Sequence, residues 1–269
     1  MGQQTDQAYL LNELYKDASD LDTRIQIQEN FNLNPYNWFH WLFDRLDLLT
    51  TPGRLLELGC GSGMLWLENL NRLPEGWRIT LSDLSIGMLE EARQNLEDSH
   101  SAFSFVVADT QLIPFPDEYF DVVIANGVFD HVPDRSLAFA QIQRVLRPSG
   151  HLYASAGGRT HLREIEALVK PFVPEANYGG DPEEFGLENG LAQLEPWFAG
   201  AALHRYEDAL VFREVEPILA YILSESDVES ALVEDKRASF VGFLKQQLAW
   251  FGEILVTTDK GLFKAYKSI

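Results

Sequence analysis

The stretch "LLELGCGSG", Leu55–Gly63, decides the fold. Apolar residues around one Glu run into glycines at positions 59, 61 and 63. Such spacing serves a backbone that turns tightly and comes close to a ligand. Two familiar grips fail on it. A P-loop needs Lys and then Ser or Thr after its last glycine, but Gly63 leads into Met64-Leu65-Trp66. A dinucleotide fingerprint needs G-x-G-x-x-G, and its third glycine falls on Met64 or Trp66. What remains is E-x-G-x-G-x-G after a first strand.

Outward from this turn the pattern alternates. "RLLELG" predicts a buried strand and "MLWLENLNRL" a helix. "WRITLSD", "SAFSFVVAD", "FDVVIAN" and "GHLYASA" predict further strands, with "SIGMLEEARQNLED" and "RSLAFAQIQRVL" as helices between them. Ser85 is placed to start the first of these helices. Strands alternating with helices imply a mostly parallel, doubly wound α/β sheet with helices on both faces.

Residues 1–50 predict a helical cap and 51–158 the α/β core. Residues 159–269 predict the remaining strands, with a helical insertion at about 214–252. "EEFGLENGLAQLEPWF" reads as a helix and "GAALHRYEDALVFRE" as a strand. "EILVTTDKGLFKAYK" reads as an antiparallel hairpin turning at Asp259-Lys260-Gly261. The N-terminal aromatics Tyr36, Trp38, Phe39 and Trp41 admit two roles, lining an apolar pocket or packing a helix on the sheet.

The chain has 269 residues, enough for one large domain or a core with a smaller cap. Its formal charge of −20 opposes binding to polyphosphate, so nucleic acid is not an expected partner. No apolar run reaches transmembrane length, no signal peptide is read, and Asp6 breaks the myristoylation pattern. The expected compartment is the cytoplasm. A single cysteine, Cys60, rules out an internal disulfide and a Cys-rich zinc site, and the six histidines show no metal-ligand spacing.

Four ordered blocks then resemble one family. "LLELGCGSG" resembles motif I of the class I S-adenosylmethionine (SAM) dependent methyltransferases. "ITLSDLSIGMLEEAR" is similar to their second-strand acid followed by D-x-S-x-x-M-L. "VVADTQLIPFPDEYFDVVIANGVFDHVPD" is similar to their D-x-x-x-[LI]-P-F-x-D-x-x-F-D-x-V block. "RVLRPSGHLYAS" resembles L-[KR]-P-G-G-x-L, with Ser149 in place of the first glycine. The blocks span about residues 53–156, and the subgroup resembled is type 11, the ubiquinone/menaquinone-biosynthesis-like enzymes.

The resemblance implies a Rossmann-like fold and methyl transfer from SAM, leaving S-adenosylhomocysteine, to an O, N or C nucleophile of a small-molecule acceptor. Gly59, Gly61 and Gly63, with Cys60 as a small filler, would approach the amino-acid part of SAM. Glu57 would support this loop, or simply be a buried carboxylate that holds the turn. Asp83 would accept from both ribose hydroxyls; the alternative is a helix cap. Leu84 and Met88 would pack near the adenosine, unless Met88 is ordinary core. Asp109 would accept from the adenine amino group beside Thr110, or form an Asx turn. Asn126 would sit near the methionine moiety; Gly127-Val128-Phe129 after it does not make the N-P-P-Y of base-amino methylation.

His131 is the candidate general base, against a bracing role in its loop. Tyr15 and Arg24 are candidates to reach the cofactor from the cap. A homodimer is compatible with these features. The rival readings are a non-catalytic SAM-binding protein and a SAM-scaffold enzyme using a modified cofactor; a nicotinamide enzyme is disfavoured by the missing fingerprint.

Overall fold

The computed structural model describes residues 5–48, 52–97, 102–176, 178 and 184–268. The expected boundary between cap and core, at 50/51, lies outside them. So do Leu49, near the end of the predicted helical cap, and Glu183, at the head of "EEFGLENGLAQLEPWF".

One seven-stranded sheet runs in the order β3-β2-β1-β4-β5-β7-β6. The strands are β1 Arg54–Leu58, β2 Arg78–Asp83, β3 Phe103–Val107, β4 Phe120–Asn126, β5 Leu146–Gly157, β6 Ala199–Phe212 and β7 Ile254–Tyr266. Strands β1 to β5 are parallel, and β7 pairs antiparallel with both β5 and β6. From β1 the chain winds outward through β2 and β3, then restarts on the other side at β4. The order therefore reverses between β1 and β4, and in open α/β sheets ligands bind beside the carboxyl ends at such a point.

Helices cover both faces. One core unites β1, β4 and β5 with α6, Arg135–Val145, and α8, Gly190–Leu194, around Phe120, Phe139 and Phe263. The opposite face packs α3, Trp38–Phe43, α4, Met64–Leu67, and α5, Ile86–Asn95, around Leu42, Trp66 and Tyr153. A third core joins the far ends of β6 and β7 to α7, Arg163–Val169, α9, Val215–Leu223, and α11, Glu234–Phe251. Helix α10, Ser226–Ala231, completes the helices between β6 and β7. No helix among the described residues is long and apolar enough to cross a membrane.

Before the sheet, α1, Gln7–Tyr9, continues as a π-helical turn, Leu10–Leu14, and α2 follows at Ser19–Phe31. Helix α2 is bound to the distant insertion. Arg24 Nη1 donates to the Ser224 carbonyl at 2.7 Å and to Glu225 at 3.3 Å, while Gln28 donates to the Tyr221 hydroxyl at 2.9 Å.

Three expectations change. Residues 64–73 are not one helix: α4 stops after Leu67 and a 3₁₀ turn follows at Leu70–Arg72. The fully buried Asn69 donates to Leu65 O at 2.8 Å and Phe39 O at 3.2 Å, tying the break to α3. Among the described residues of the "EEFGLENGLAQLEPWF" stretch only Gly190–Leu194 is helical. There the Asn189 side chain donates to Glu184 O at 2.6 Å and accepts from Gly186 N at 2.9 Å, building a loop.

The predicted turn at Asp259-Lys260-Gly261 does not exist, because β7 runs straight through it. Gly261 answers a different need: a Cβ there would lie 2.8 Å from His204 O on β6. Glycine in a strand marks a close backbone approach as readily as a turn. The antiparallel partner that was expected is instead β6, reached across the helices α9–α11.

Candidate cofactor and acceptor site

The strand ends bring the sequence candidates together. Gly59 and Gly61 follow β1 with φ of +61° and +54°. A Cβ on Gly59 would meet Val128 Cγ2 at 2.7 Å, and one on Gly61 would meet Leu21 Cδ2 at 2.9 Å. Conformation and crowding thus both select glycine. Gly63 stands at the N-terminus of α4. Ser62 fixes the loop from outside: its hydroxyl donates to Asp22 on α2 at 2.6 Å, and its carbonyl accepts from Asn95 on α5 at 3.0 Å.

Asp83, at the end of β2, accepts from Gly61 N at 3.0 Å and from Ser85 N at 2.9 Å. The same carboxylate therefore braces the glycine loop and the entry to α5. Ser85 Oγ accepts from Met88 N at 3.3 Å and donates to Tyr15 O at 2.7 Å. It caps α5, as expected, and also holds the segment before α2. Burial raises the Asp83 carboxyl above its ordinary value, opposed by these amide bonds.

Glu57 is buried within β1 and accepts from Trp66 Nε1 at 2.5 Å. Burial pushes its carboxyl up to about 8. Cys60 is buried, its Sγ lies 3.5 Å from Gly61 O, and burial pushes its thiol well above the ordinary range. It is a filler of the turn rather than a nucleophile.

Asp109, after β3, accepts from Gln111 N at 2.8 Å and from the Gln7 side-chain amide at 2.8 Å. The first bond is the Asx turn that sequence allowed. The second reaches from α1, where no motif pointed. Asn126 closes β4 and accepts from Ser155 Oγ at 2.6 Å. Met88 and Thr110 are buried, and Leu84 is half-buried.

Two adjoining cavities open on this cluster. The smaller, about 160 Å³, is walled by Asp83, Leu84, Met88, Asp109, Thr110 and His131. The larger, about 380 Å³, includes Glu57, Cys60, Trp38, Phe39, Phe185 and Lys260. Gly59, Gly61, Asn126 and Gly127 line both. The glycine turn and the end of β4 are thus the partition, at the reversal point of the sheet.

His131 belongs to the smaller cavity, and its Nε2 lies 2.9 Å from the Tyr15 hydroxyl, ring edge to ring face. Burial raises the Tyr15 phenol, so it stays protonated at neutral pH. Arg24 lines the larger cavity, although Ser224 and Glu225 already engage its guanidinium. The aromatics divide between their two readings. Trp38 and Phe39 line the larger cavity, Trp41 is buried in the core beneath Arg45, and Tyr36 is exposed. Among the described residues no cluster of His, Cys, Asp or Glu could hold a metal ion.

Residues 56–154 match the family model described as "Methyltransferase domain", in its type 11 form. This segment, rather more than a third of the chain, is a methyltransferase domain of the type 11 class I SAM-dependent group. The chain is 28% identical over 180 residues to a malonyl-[acyl-carrier protein] O-methyltransferase of Geobacter sulfurreducens, covering 65% of this chain and 62% of that one. It is 32% identical over 121 residues to a ubiquinone/menaquinone biosynthesis C-methyltransferase of Pectobacterium carotovorum, covering 44% and 48%. The alignments therefore span about half to three fifths of these relatives.

Among solved structures, a phosphoethanolamine N-methyltransferase of Haemonchus contortus superposes with a TM-score of 0.62 at 19% identity. The match covers 98% of this chain and 60% of that one. This likeness concerns the fold. The Rossmann-like sheet, with antiparallel strands at one end, is the fold class that the sequence implied.

Proposed function

We propose that this methyltransferase moves a methyl group from SAM to an O, N or C nucleophile of a small-molecule acceptor. One observation carries the proposal: two cavities share a wall of Gly59, Gly61, Asn126 and Gly127 at the sheet's reversal point. The smaller cavity fits a nucleoside, with Asp83 and Asp109 as acceptors and Met88 as an apolar wall. The shared wall suits the methionine part, and the larger cavity then receives the acceptor. Glu57 and Asp83 flank this wall, and a cation bound there would favour the ionised form that burial opposes in both.

SAM supplies a methyl group on a positively charged sulfur; an acceptor's electron pair takes the methyl, the C–S pair returns to sulfur, and the acceptor's proton leaves. The chain's task is binding and alignment, which contribute on the order of 7–11 kcal/mol when the geometry is right. Residues 1–50 and the helices between β6 and β7 serve as a lid that excludes water. Supporting this, α2 touches both the glycine loop, through Leu21 and Asp22, and the insertion, through Arg24 and Gln28.

The test uses purified chain, methyl-labelled SAM and a metabolite extract, with calorimetry against SAM and NAD. Label in an acceptor fraction, absent without enzyme, is the expected result. Binding of NAD without SAM would sink the proposal. Tight SAM binding with no transfer to any acceptor would favour a binding protein instead.

His131 sits with Tyr15 in the smaller cavity, which suits closing that cavity better than reaching an acceptor. Tyr15→Phe removes one buried hydrogen bond, a loss of about 0.5–1.5 kcal/mol. The expected result is a SAM Kd raised about three- to tenfold, read by calorimetry. A fall of about a hundredfold in the transfer rate at saturating SAM would assign the pair to proton removal instead.

A further inference from the structure

Lys260 stands where a charge is unexpected. Its strand, β7, lies inside the sheet between β5 and β6, and Lys260 pairs in register with Gly157 and Tyr206. Its neighbour two places on, Leu262, is fully buried in the core that faces α3. Interior strand faces are normally apolar, because desolvating an ammonium is costly. The side chain nevertheless lines the larger cavity. Its Nζ donates to Gln28 Oε1 at 2.9 Å and lies 4.9 Å from the centre of the Trp38 ring and 5.8 Å from that of Tyr206. Among the described residues no carboxylate lies within ion-pair distance of it. Asp208 on β6 and Glu29 on α2 act on it only through space. An ammonium has three donors, and Gln28 uses one.

A second donor adjoins it. His161, also in the cavity wall, accepts at Nδ1 from Asp259 N at 3.2 Å, which places the imidazole proton on Nε2. Burial, helped by the Lys260 charge, pushes this imidazole down to about 3, so it stays neutral. Trp38, Phe39 and Phe185 give the same cavity a flat apolar lining.

We propose that Lys260, with His161 beside it, anchors a carboxylate on an apolar, planar acceptor in the larger cavity. The assignment rests on the methyltransferase reading above, which makes this cavity the acceptor's. Glu184 and Glu188 stand as acids in the same wall and Arg159 as a further cation, while Arg24 is already held by Glu225, so a single negative charge suits the Lys260 ammonium better than a phosphate dianion. Burial pushes the Lys260 ammonium down to about 8, so its hold on an anion weakens as pH rises past that value.

The experiment loads the protein with S-adenosylhomocysteine, then titrates 2-naphthoate and 2-naphthamide by calorimetry. The two probes share a shape and differ in charge, and neither ionises between pH 7 and 9.5. At pH 7 the acid is expected to bind about ten- to a hundredfold tighter, as a charge-assisted bond allows. That preference should shrink about tenfold at pH 9.5 and vanish in Lys260→Met. Equal affinity for the two probes, binding of neither, or a preference that survives in Lys260→Met overturns the proposal. So does a Lys260→Met protein that melts lower but keeps the preference, since that marks a purely structural lysine. The pH arm uses the unaltered protein and stands if the variant does not fold. Failure to bind S-adenosylhomocysteine sinks the methyltransferase reading; binding it without preferring the acid sinks only this one.

Discussion

Asp83→Asn is expected to weaken SAM binding about ten- to a hundredfold while lowering folding stability only modestly. The Asp83 carboxylate already accepts from Gly61 N and Ser85 N, one on each oxygen. A carboxylate offers about four acceptor sites, so one lone pair on each oxygen remains for a ribose diol. Each hydrogen bond to a charged group contributes about 1.5–3 kcal/mol. The amide keeps one acceptor oxygen and loses the charge, so roughly half of that total goes, about 1.5–3 kcal/mol or ten- to a hundredfold. Folding responds differently. Burial already holds this carboxyl above its ordinary value, so its ionised form works against stability. A neutral amide removes that desolvation cost but leaves either Gly61 N or Ser85 N without its acceptor, a loss of about 1–3 kcal/mol that works against it. Calorimetry with SAM and a thermal melt without it check both halves. A Kd within threefold of the unaltered protein would take Asp83 out of ribose binding. A collapse of the melt would make it a brace of the loop first.

Glu57→Gln is expected to reshape how stability depends on pH. The carboxyl has a folded value of about 8 against an ordinary 4.5, owing chiefly to burial. Between those two values the folded chain keeps a proton that the unfolded chain has released. The associated stability is complete below about pH 4.5 and is lost as pH rises through about 8. The slope for one such group is at most about 1.4 kcal/mol per pH unit. The amide has no proton to lose, and its oxygen can still accept from Trp66 Nε1. Glu57→Gln should therefore gain on the unaltered protein by about 3–4 kcal/mol between pH 5 and pH 8. Urea denaturation at pH 5, 6.5 and 8 measures the gap. Parallel profiles would show that Glu57 is ionised in the folded chain.

Much of this architecture was legible because its signals are local. Glycines at 59, 61 and 63 and acids at 83 and 109 each follow a short apolar run, and a strand end fixes where such a residue points. Their meeting in one crevice follows from strand order, which the family blocks imply. Lys260 was read as part of a turn because Asp-Lys-Gly is turn chemistry. Only the pairing of β7 with both β5 and β6 shows the glycine to be a close approach and the lysine a cavity group. Gln7 lies 102 residues from Asp109, and Tyr15 lies 116 from His131. Contacts of that separation leave no periodicity in either segment. The split of "MLWLENLNRL" was hidden for a related reason: Asn69 breaks the helix by bonding to α3, a partner outside the window.

The placement of β7 also sets an order of assembly. Strand β6 precedes β7 in the chain, yet it touches the sheet only through β7. A nascent chain that has reached α11 carries β6 with one edge open and, on the other, the single bridge from Asn32 to Leu210. Long-range strand pairing of this kind is slow, and unpaired edges are sticky. Emergence of Ile254–Tyr266 from the ribosome is thus the event that joins the two sides of the sheet, and it carries Lys260 into place with it. Until then the larger cavity lacks the part of its wall that Lys260 supplies.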